Sequence, residues 1–122
     1  MRLQKGLYYI SLQVCVDITM DVVAMLVKDI GLNVEDDYTN IKKLLKHDVI
    51  TKDEATLLKQ YNRLRNAIVH KYDKLNLEVV KEGLKRIDEL YEIAYESMRV
   101  MKCEAFHLII IKLIEFYEKV EE

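Results

Sequence analysis

The sequence predicts an all-α fold, an up-and-down antiparallel bundle of four to five helices in a single domain spanning residues 1–122. The chain contains no proline and only three glycines, whereas a β-rich domain of this length needs many turns, which draw on both residues. Hydrophobic residues make up 51% of the chain, which is enough for one modest core. Long helices joined by a few short loops are therefore expected.

Hydrophobic spacing and a glycine mark the first two helices. We expect the first from about Leu3 to Ile30, because Gly31 suits a C-terminal cap. A loop then leads to a short helix, roughly Tyr38 to His47. Apolar residues recur along the first helix at the helical period: Leu7, Ile10, Val14, Ile18, Val22, Met25 and Leu26.

Capping signals place the later helices. Thr51, with Glu54 three residues on, forms a capping box for a third helix that ends near His70. Asn76 is typical of the N-cap of the last segment. The third helix is expected to bury a periodic set of apolar residues: Leu57, Leu58, Tyr61, Leu64 and Ile68.

The last segment carries an unbroken apolar stripe. One helix from Leu77 to Val120 would be about 65 Å long at 1.5 Å per residue, which is too long for a compact bundle of this size. We expect a break near Lys102–Glu104; the alternative is a projecting helix that packs against a partner chain. Residues 98–122 are treated as a C-terminal helical extension, with no role assigned beyond packing or dimerisation.

Composition limits the class of protein. Cys15 and Cys103 are the only cysteines, too few for a disulfide framework or a zinc site, and no signal peptide is recognisable. The most apolar run, Phe106 to Ile114, is too short to span a bilayer. A soluble, cytoplasmic protein without a membrane partner is expected.

The net charge of −2 argues against a nucleic-acid binder, but the charge is unevenly distributed. Residues 1–41 carry −3 and residues 75–122 carry −4, whereas residues 42–74 carry nine basic and four acidic side chains, for +5. A local basic field can hold a phosphate backbone on a slightly acidic molecule. On charge alone, an ordinary solvated helix face is the simpler interpretation.

The residues best suited to chemistry are Arg65, His70 and Tyr72, in an Arg-x4-His-x-Tyr motif near the end of the third helix. Asn66 lies one turn before His70 and is expected to hold its ring. Arg65 and His70 are about 140° apart on a regular helix, so one helix does not aim both at one atom. Distortion of the helix end helps, and so does pairing of two copies across a two-fold axis. The motif therefore predicts a homodimer whose cleft holds both copies.

These groups suit metal-independent cleavage of RNA, which supplies its own nucleophile, the 2′-hydroxyl. A histidine titrates near neutral pH and can take that proton or protonate the leaving 5′-oxygen. A guanidinium offers a permanently charged, planar fork to the negative charge of the phosphorane. Spacing alone fits equally well with a surface cation, a helix-terminal histidine and a tyrosine that anchors a loop.

The segment Arg65-Asn66-Ala67-Ile68-Val69-His70-Lys71-Tyr72 resembles the signature of HEPN domains, in particular the HepT-like toxins. The resemblance extends over roughly residues 7–95, including Gln13-Val14-Cys15-Val16-Asp17-Ile18 and the Asn76-Leu77-Glu78 restart. It implies a homodimeric helical bundle with ribonuclease activity, in which Arg65 and His70 are catalytic and Asn66 supports them. The neighbouring cations Arg63, Lys71 and Lys74 are candidate RNA contacts.

The same resemblance implies a partner, a minimal nucleotidyltransferase antitoxin of the MntA type, which adds AMP to a tyrosine that matches Tyr72. Added bulk and negative charge beside the catalytic pair would repel an RNA phosphate. The chain departs from the family pattern at Arg63-Leu64, where Gly-Phe is common. It departs again at Asp73, where the family often has an aromatic residue, and this places a negative charge near the proposed phosphate site.

Two weaker candidates lie outside the motif. Gln13, Asp17 and Asp21 form an i, i+4 stripe, and like charges one turn apart favour a compensating cation. One hypothesis is that Asp17 or Asp21 orients Arg65 and His70; the alternative is a solvated helix edge.

The other histidines offer little. Glu104 and His107 form a Glu-x-x-His, but di-iron sites need two such motifs and neither His47 nor His70 supplies the second. No metal and no cofactor are therefore expected. His47 could touch phosphate, although a solvated helix end is the better interpretation.

Two functions of different class remain. The first is a metal-independent endoribonuclease toxin. The second is a non-catalytic helical module that binds a nucleotide or docks a nucleotidyltransferase. The chain keeps every group that the cleavage chemistry needs, which favours the enzyme.

Overall fold

The structure is a computed structural model that describes residues 2–71, 76–101 and 106–121. The described residues form six helices, one more than the upper expectation, and the all-α fold is confirmed. The helices are α1 (Arg2–Asp29), α2 (Asp37–Lys46), α3 (Lys52–Lys71), α4 (Leu77–Lys85), α5 (Ile87–Met101) and α6 (Phe106–Glu121).

Helix α1 is the central element, because it packs against each of the other five helices. Its core face is one continuous arc of buried side chains that includes Tyr9, Leu12, Val16, Val23 and Val27. At 100° per residue these positions lie on the same side of the helix. The hydrophobic core therefore surrounds α1 on this side.

The opposite side of α1 is apolar but open. We call it the open α1 stripe and define it by Leu7, Ile10, Val14, Ile18 and Met25. Leu7 and Ile10 are each 57% exposed, and the other three side chains are half-buried. Of the seven positions whose spacing predicted the helix, only Val22 and Leu26 lie in the core. The periodicity identified the helix correctly but mixed two of its faces.

The turn after α1 and the start of α2 are fixed by short-range hydrogen bonds. Gly31 has a φ of 84°, which a glycine adopts without steric cost, and Leu32 N–H donates to the Val27 carbonyl at 3.1 Å. The buried Asn40 side chain exchanges two hydrogen bonds with the Glu35 backbone, at 2.8 and 3.1 Å. These contacts fix the turn that ends α1 and the loop that leads into α2.

The predicted capping box of α3 is present. Thr51 N–H donates to Glu54 Oε1 at 2.8 Å, and Glu54 N–H donates to Thr51 Oγ1 at 3.2 Å. Farther along α3, the Tyr61 hydroxyl donates to the Gly83 carbonyl of α4 at 2.7 Å. Burial of its hydroxyl raises the pKa of Tyr61 to about 12, so it stays a donor. The helix is thus anchored at its start and at its middle.

A break that the sequence did not predict separates α4 from α5 at Arg86. The Gly83 carbonyl accepts from Tyr61 and from Arg86 N–H at 3.3 Å, an i→i+3 bond that tightens the last turn of α4. Gly83 also lies close to its neighbours, since a Cβ there would be 3.1 Å from Leu64 and 3.4 Å from Leu12. The glycine that lets α4 pack so closely also marks the point where the helix bends.

The chain turns back between α5 and α6. The break expected near Lys102–Glu104 lies outside the described residues, but α5 ends at Met101 and α6 begins at Phe106. Helix α6 packs against α1 and α5, so it folds onto its own chain and does not project. Phe116, Tyr117 and Val120 are partly buried against the core.

One segment of α1, Gly6–Asp29, is long and apolar enough to cross a membrane by length and composition. Half of its most apolar window is buried inside the bundle. A central core helix meets the same criterion, and the contacts of α1 with five other helices are those of a core helix.

Candidate active site

The motif residues lie on the second half of α3. Arg65 and Asn66 are half-buried, and His70 is exposed in the last turn before the helix ends at Lys71. Because α3 remains helical through His70, Arg65 and His70 keep the separation of about 140° expected of a regular helix. A single copy of α3 therefore presents the two side chains on different sides.

The Arg65 guanidinium is held by two neighbours. Its Nε–H donates to Asp17 Oδ1 at 2.6 Å, and Nη1 donates to Asn66 Oδ1 at 3.2 Å. Arg65 and Asp17 side chains are 29% and 42% exposed, so the ion pair lies at the surface and not in the core. Three of the five guanidinium N–H groups have no protein acceptor within the described residues.

Two of the weaker expectations have an outcome here. Asp17 is the carboxylate that contacts Arg65, as one of the two hypotheses for the α1 acidic stripe proposed. Asn66 was expected to lie against the His70 ring; in the structure its Oδ1 accepts a hydrogen bond from Arg65. The i, i+4 spacing suggested His70 as the partner of Asn66, whereas the hydrogen bond in the structure comes from the adjacent residue, Arg65.

A second carboxylate, besides Asp17, interacts with the charge of Arg65. Asp37, in the first turn of α2, interacts with the charges of Arg65, Asp17 and Asp21. Burial raises the pKa of Asp37 and the positive charge of Arg65 opposes this shift. Burial also raises the pKa of Asp21, and the neighbouring Asp17 adds to the rise. No sequence signal pointed to Asp37, because its approach to Arg65 depends on how α2 packs against α1 and α3.

The remaining predicted site residues are either exposed or lie outside the described residues. Arg63 is exposed on α3. Tyr72 and Lys74 lie outside the described residues, as does the side chain of Lys71. His47 is exposed, and its Nδ1 lies 2.9 Å from the Lys43 carbonyl at the end of α2, as expected of a helix end.

The basic middle third is partly neutralised within the fold. Lys43 pairs with Glu35 at 2.5 Å, and Arg65 pairs with Asp17. The predicted basic field is therefore weaker at Arg65 than the charge count suggested.

In residues 2–71, 76–101 and 106–121, no group of three His, Cys, Asp or Glu side chains is arranged to hold a metal ion.

Comparison with known proteins gives a consistent result. A family model described as Ribonuclease HepT-like matches residues 2–97. A Methanocaldococcus jannaschii protein named "Putative RNase" is 90% identical over 86 residues, which cover 70% of this chain and 99% of that protein. An Archaeoglobus fulgidus protein with the same designation is 50% identical over 98 residues, which cover 80% of this chain and 74% of that protein.

No solved structure matches the chain. The family match covers most of the described helices and ends inside α5, so it includes the whole motif from Arg65 to Tyr72 and leaves out α6. The chain therefore belongs to the HepT-like ribonuclease family of the HEPN superfamily.

Proposed function

We propose that this protein is a metal-independent endoribonuclease toxin, with Arg65 and His70 as its catalytic residues. The observation that carries the proposal is that Arg65 is held by Asp17 and Asn66, while three of its N–H groups have no acceptor among the described residues and can bind a substrate. An oriented guanidinium with free donors suits the equatorial oxygens of a phosphorane. The names of the family and of its relatives support the same class of activity.

The proposed reaction is an internal transfer at phosphorus. The 2′-oxygen forms a bond to phosphorus while the bond from phosphorus to the 5′-oxygen breaks. One group takes the proton of the 2′-hydroxyl, and another gives a proton to the 5′-oxygen that leaves. The products are a 2′,3′-cyclic phosphate and a 5′-hydroxyl. DNA lacks the attacking hydroxyl, so the reaction is specific for RNA.

We infer that the active form is a homodimer paired along the open α1 stripe. Leu7 and Ile10 expose large apolar side chains on this stripe, and Asp17, which holds Arg65, lies at its edge. Pairing along the stripe would bring two copies of Arg65 towards one another and place His70 of one copy opposite Arg65 of the other. A dimer would also bring an arginine and a histidine together although the two side chains lie about 140° apart on one helix.

We further propose a nucleotidyltransferase antitoxin of the MntA type as partner, with AMP addition at Tyr72. The support is the family membership and the position of Tyr72 two residues after His70. A bulky adenylate with a negative charge at this position would add to the charges of Asp17, Asp21 and Asp37 and repel an RNA backbone.

The test is RNA cleavage in EDTA by wild type, Arg65→Ala and His70→Ala, with analysis of the product ends. We expect wild type alone to cut and to leave 2′,3′-cyclic phosphate ends. A further experiment adds ATP and an MntA-type nucleotidyltransferase, which should abolish RNA cleavage by the wild type but not by Tyr72→Phe.

The controls separate the alternatives. Equal cleavage by all three proteins would mean a contaminating nuclease or a wrong site. Wild-type protein that binds the nucleotidyltransferase but cuts no RNA would favour the non-catalytic binding module.

A further inference from the structure

The contact between α1 and α3 at Asp17 has a consequence for the reaction. Asp17 takes the Nε–H of Arg65 at 2.6 Å, and Asn66 takes one Nη1 hydrogen at 3.2 Å. Those two bonds fix the plane and the rotation of the guanidinium, since they are made on two of its three nitrogens. Among the described residues, the donors left without an acceptor are both hydrogens of Nη2 and one of Nη1. They lie on the two terminal nitrogens of the guanidinium, which can bind phosphate oxygens.

The carboxylate also has an electrostatic cost. Asp17 contacts Arg65 and Asp37 interacts with its charge, while Asp21 interacts with Asp17 and Asp37. The negative charge of this cluster opposes the approach of an RNA phosphate. A residue that only attracted substrate would not be acidic. The arrangement makes sense if Asp17 improves the orientation of Arg65 in the transition state at the expense of ground-state binding.

We propose that Asp17 is a positioning residue for Arg65 in RNA cleavage, an inference that rests on the proposed function. It touches neither the 2′-hydroxyl nor the phosphate and acts through the guanidinium. Asp21 provides a matched control. It lies one turn away on the same helix, carries the same charge, and makes no salt bridge within the described residues.

The first experiment compares steady-state cleavage of a short RNA by wild type, Asp17→Ala and Asp21→Ala. Asp17→Ala should lower kcat on the order of 10²-fold because Arg65 is no longer oriented. Its KM should fall by roughly a factor of two, because an exposed negative charge has been removed. Asp21→Ala should lower KM in the same way and leave kcat unchanged. A structural defect would not move kcat down and affinity up together.

A further variant sharpens the comparison. Asp17→Asn retains an oxygen that accepts from Nε–H, so its kcat should lie between those of wild type and Asp17→Ala; it also serves if the alanine variant does not fold. A kcat for Asp17→Ala within a factor of two of wild type would overturn the proposal.

The second experiment does not depend on activity. In ¹⁵N-labelled protein, the Nε–Hε resonance of Arg65, assigned with Arg65→Lys, should be resolved and slow to exchange with water. Asp17→Ala should move it to the averaged position of a mobile arginine, whereas Asp21→Ala should leave it in place. An unchanged resonance in Asp17→Ala refutes the inference. If wild type cuts no RNA, the proposed function fails, and this resonance still decides whether Asp17 holds Arg65.

Discussion

At the scale of single residues, burial and hydrogen bonding distinguish two acidic residues of α1 that look alike in sequence. Asp17 and Asp21 are one turn apart on α1, yet only Asp17 makes a salt bridge to Arg65. Asp21 has no such partner in the described part of the chain, and burial raises its pKa. A carboxylate whose pKa is raised in the folded state stabilises the fold below its ordinary pKa, and that contribution is lost as the pH rises through the folded pKa.

The reactivity of the Cys15 thiol measures how completely this face of α1 is buried. Its side chain is 1% exposed, and burial raises its pKa from 9.0 to about 12. The thiolate is the reactive form, so at pH 8 the native thiol should react with iodoacetamide about 10³-fold more slowly than the unfolded one, from a shift of about three pKa units. The measurement uses Cys103→Ser protein, with and without urea, so that the signal comes from Cys15 alone. Similar rates in both conditions would mean that this face of α1 is not buried.

At the scale of the element, α3 carries the motif and begins at the capping box of Thr51 and Glu54. Thr51→Ala removes the acceptor of Glu54 N–H and should lower the free energy of unfolding by about 1 kcal/mol, or Tm by roughly 4 °C. Thermal unfolding followed by circular dichroism measures the change.

Thr56→Ala is the control for this helix. Its hydroxyl donates to the Lys52 carbonyl at 3.0 Å on the exposed face of α3, and alanine is the better helix former. We expect its Tm to stay the same or rise slightly. If both threonine variants lost stability equally, the cap would have no special role at the start of α3.

Local signals predicted the starts of α3 and α4 well, but they did not predict which residues of other helices pack against these elements. Thr51, Glu54 and Asn76 identified helix starts because a cap is made by residues close in sequence. The break at Arg86 was missed because its cause includes a hydrogen bond from Tyr61, which is 22 residues away from Gly83. Leu7 and Ile10 were grouped with core positions because periodicity cannot distinguish a buried stripe from an open one.

The same distinction applies to the site. The sequence singles out Arg65, Asn66 and His70 because their spacing and chemistry are local. The structure shows the contact of Arg65 with Asn66, and the catalytic roles of Arg65 and His70 stay a prediction. The contact of Asp17 with Arg65 spans 48 residues, and the sequence offered it only as one of two hypotheses. Asp37 could not have been found from the sequence, because its position depends on the packing of three helices.

At the scale of the whole molecule, α6 and the open α1 stripe suggest how the bundle is completed. Helix α6 covers part of α1 and contributes Phe116 and Val120 next to Leu7. The open α1 stripe nevertheless keeps two side chains that are each 57% exposed. A second copy paired along this stripe would bury both and complete the site with residues from two chains.

Complementation of inactive variants tests this composite site. In a dimer of Arg65→Ala with His70→Ala, one of the two sites receives Arg65 from one chain and His70 from the other, and both are intact. Random mixing gives half heterodimers, each with one working site of two, so about a quarter of wild-type cleavage should return. Each variant alone should remain inactive.

Ile10→Lys, introduced into both inactive variants, provides the control for pairing. Each dimer would then bury two added ammonium groups, and dimerisation should weaken by at least about 10²-fold, with loss of the restored activity. Val34→Lys alters a side chain of similar exposure, 48%, in the loop between α1 and α2, and should leave both dimer and activity intact. If sedimentation showed a dimer of the two inactive variants but mixing restored no cleavage, each chain would have to use its own Arg65 and His70. The separation of about 140° on α3 would then have to be closed by a distortion of the helix end around His70.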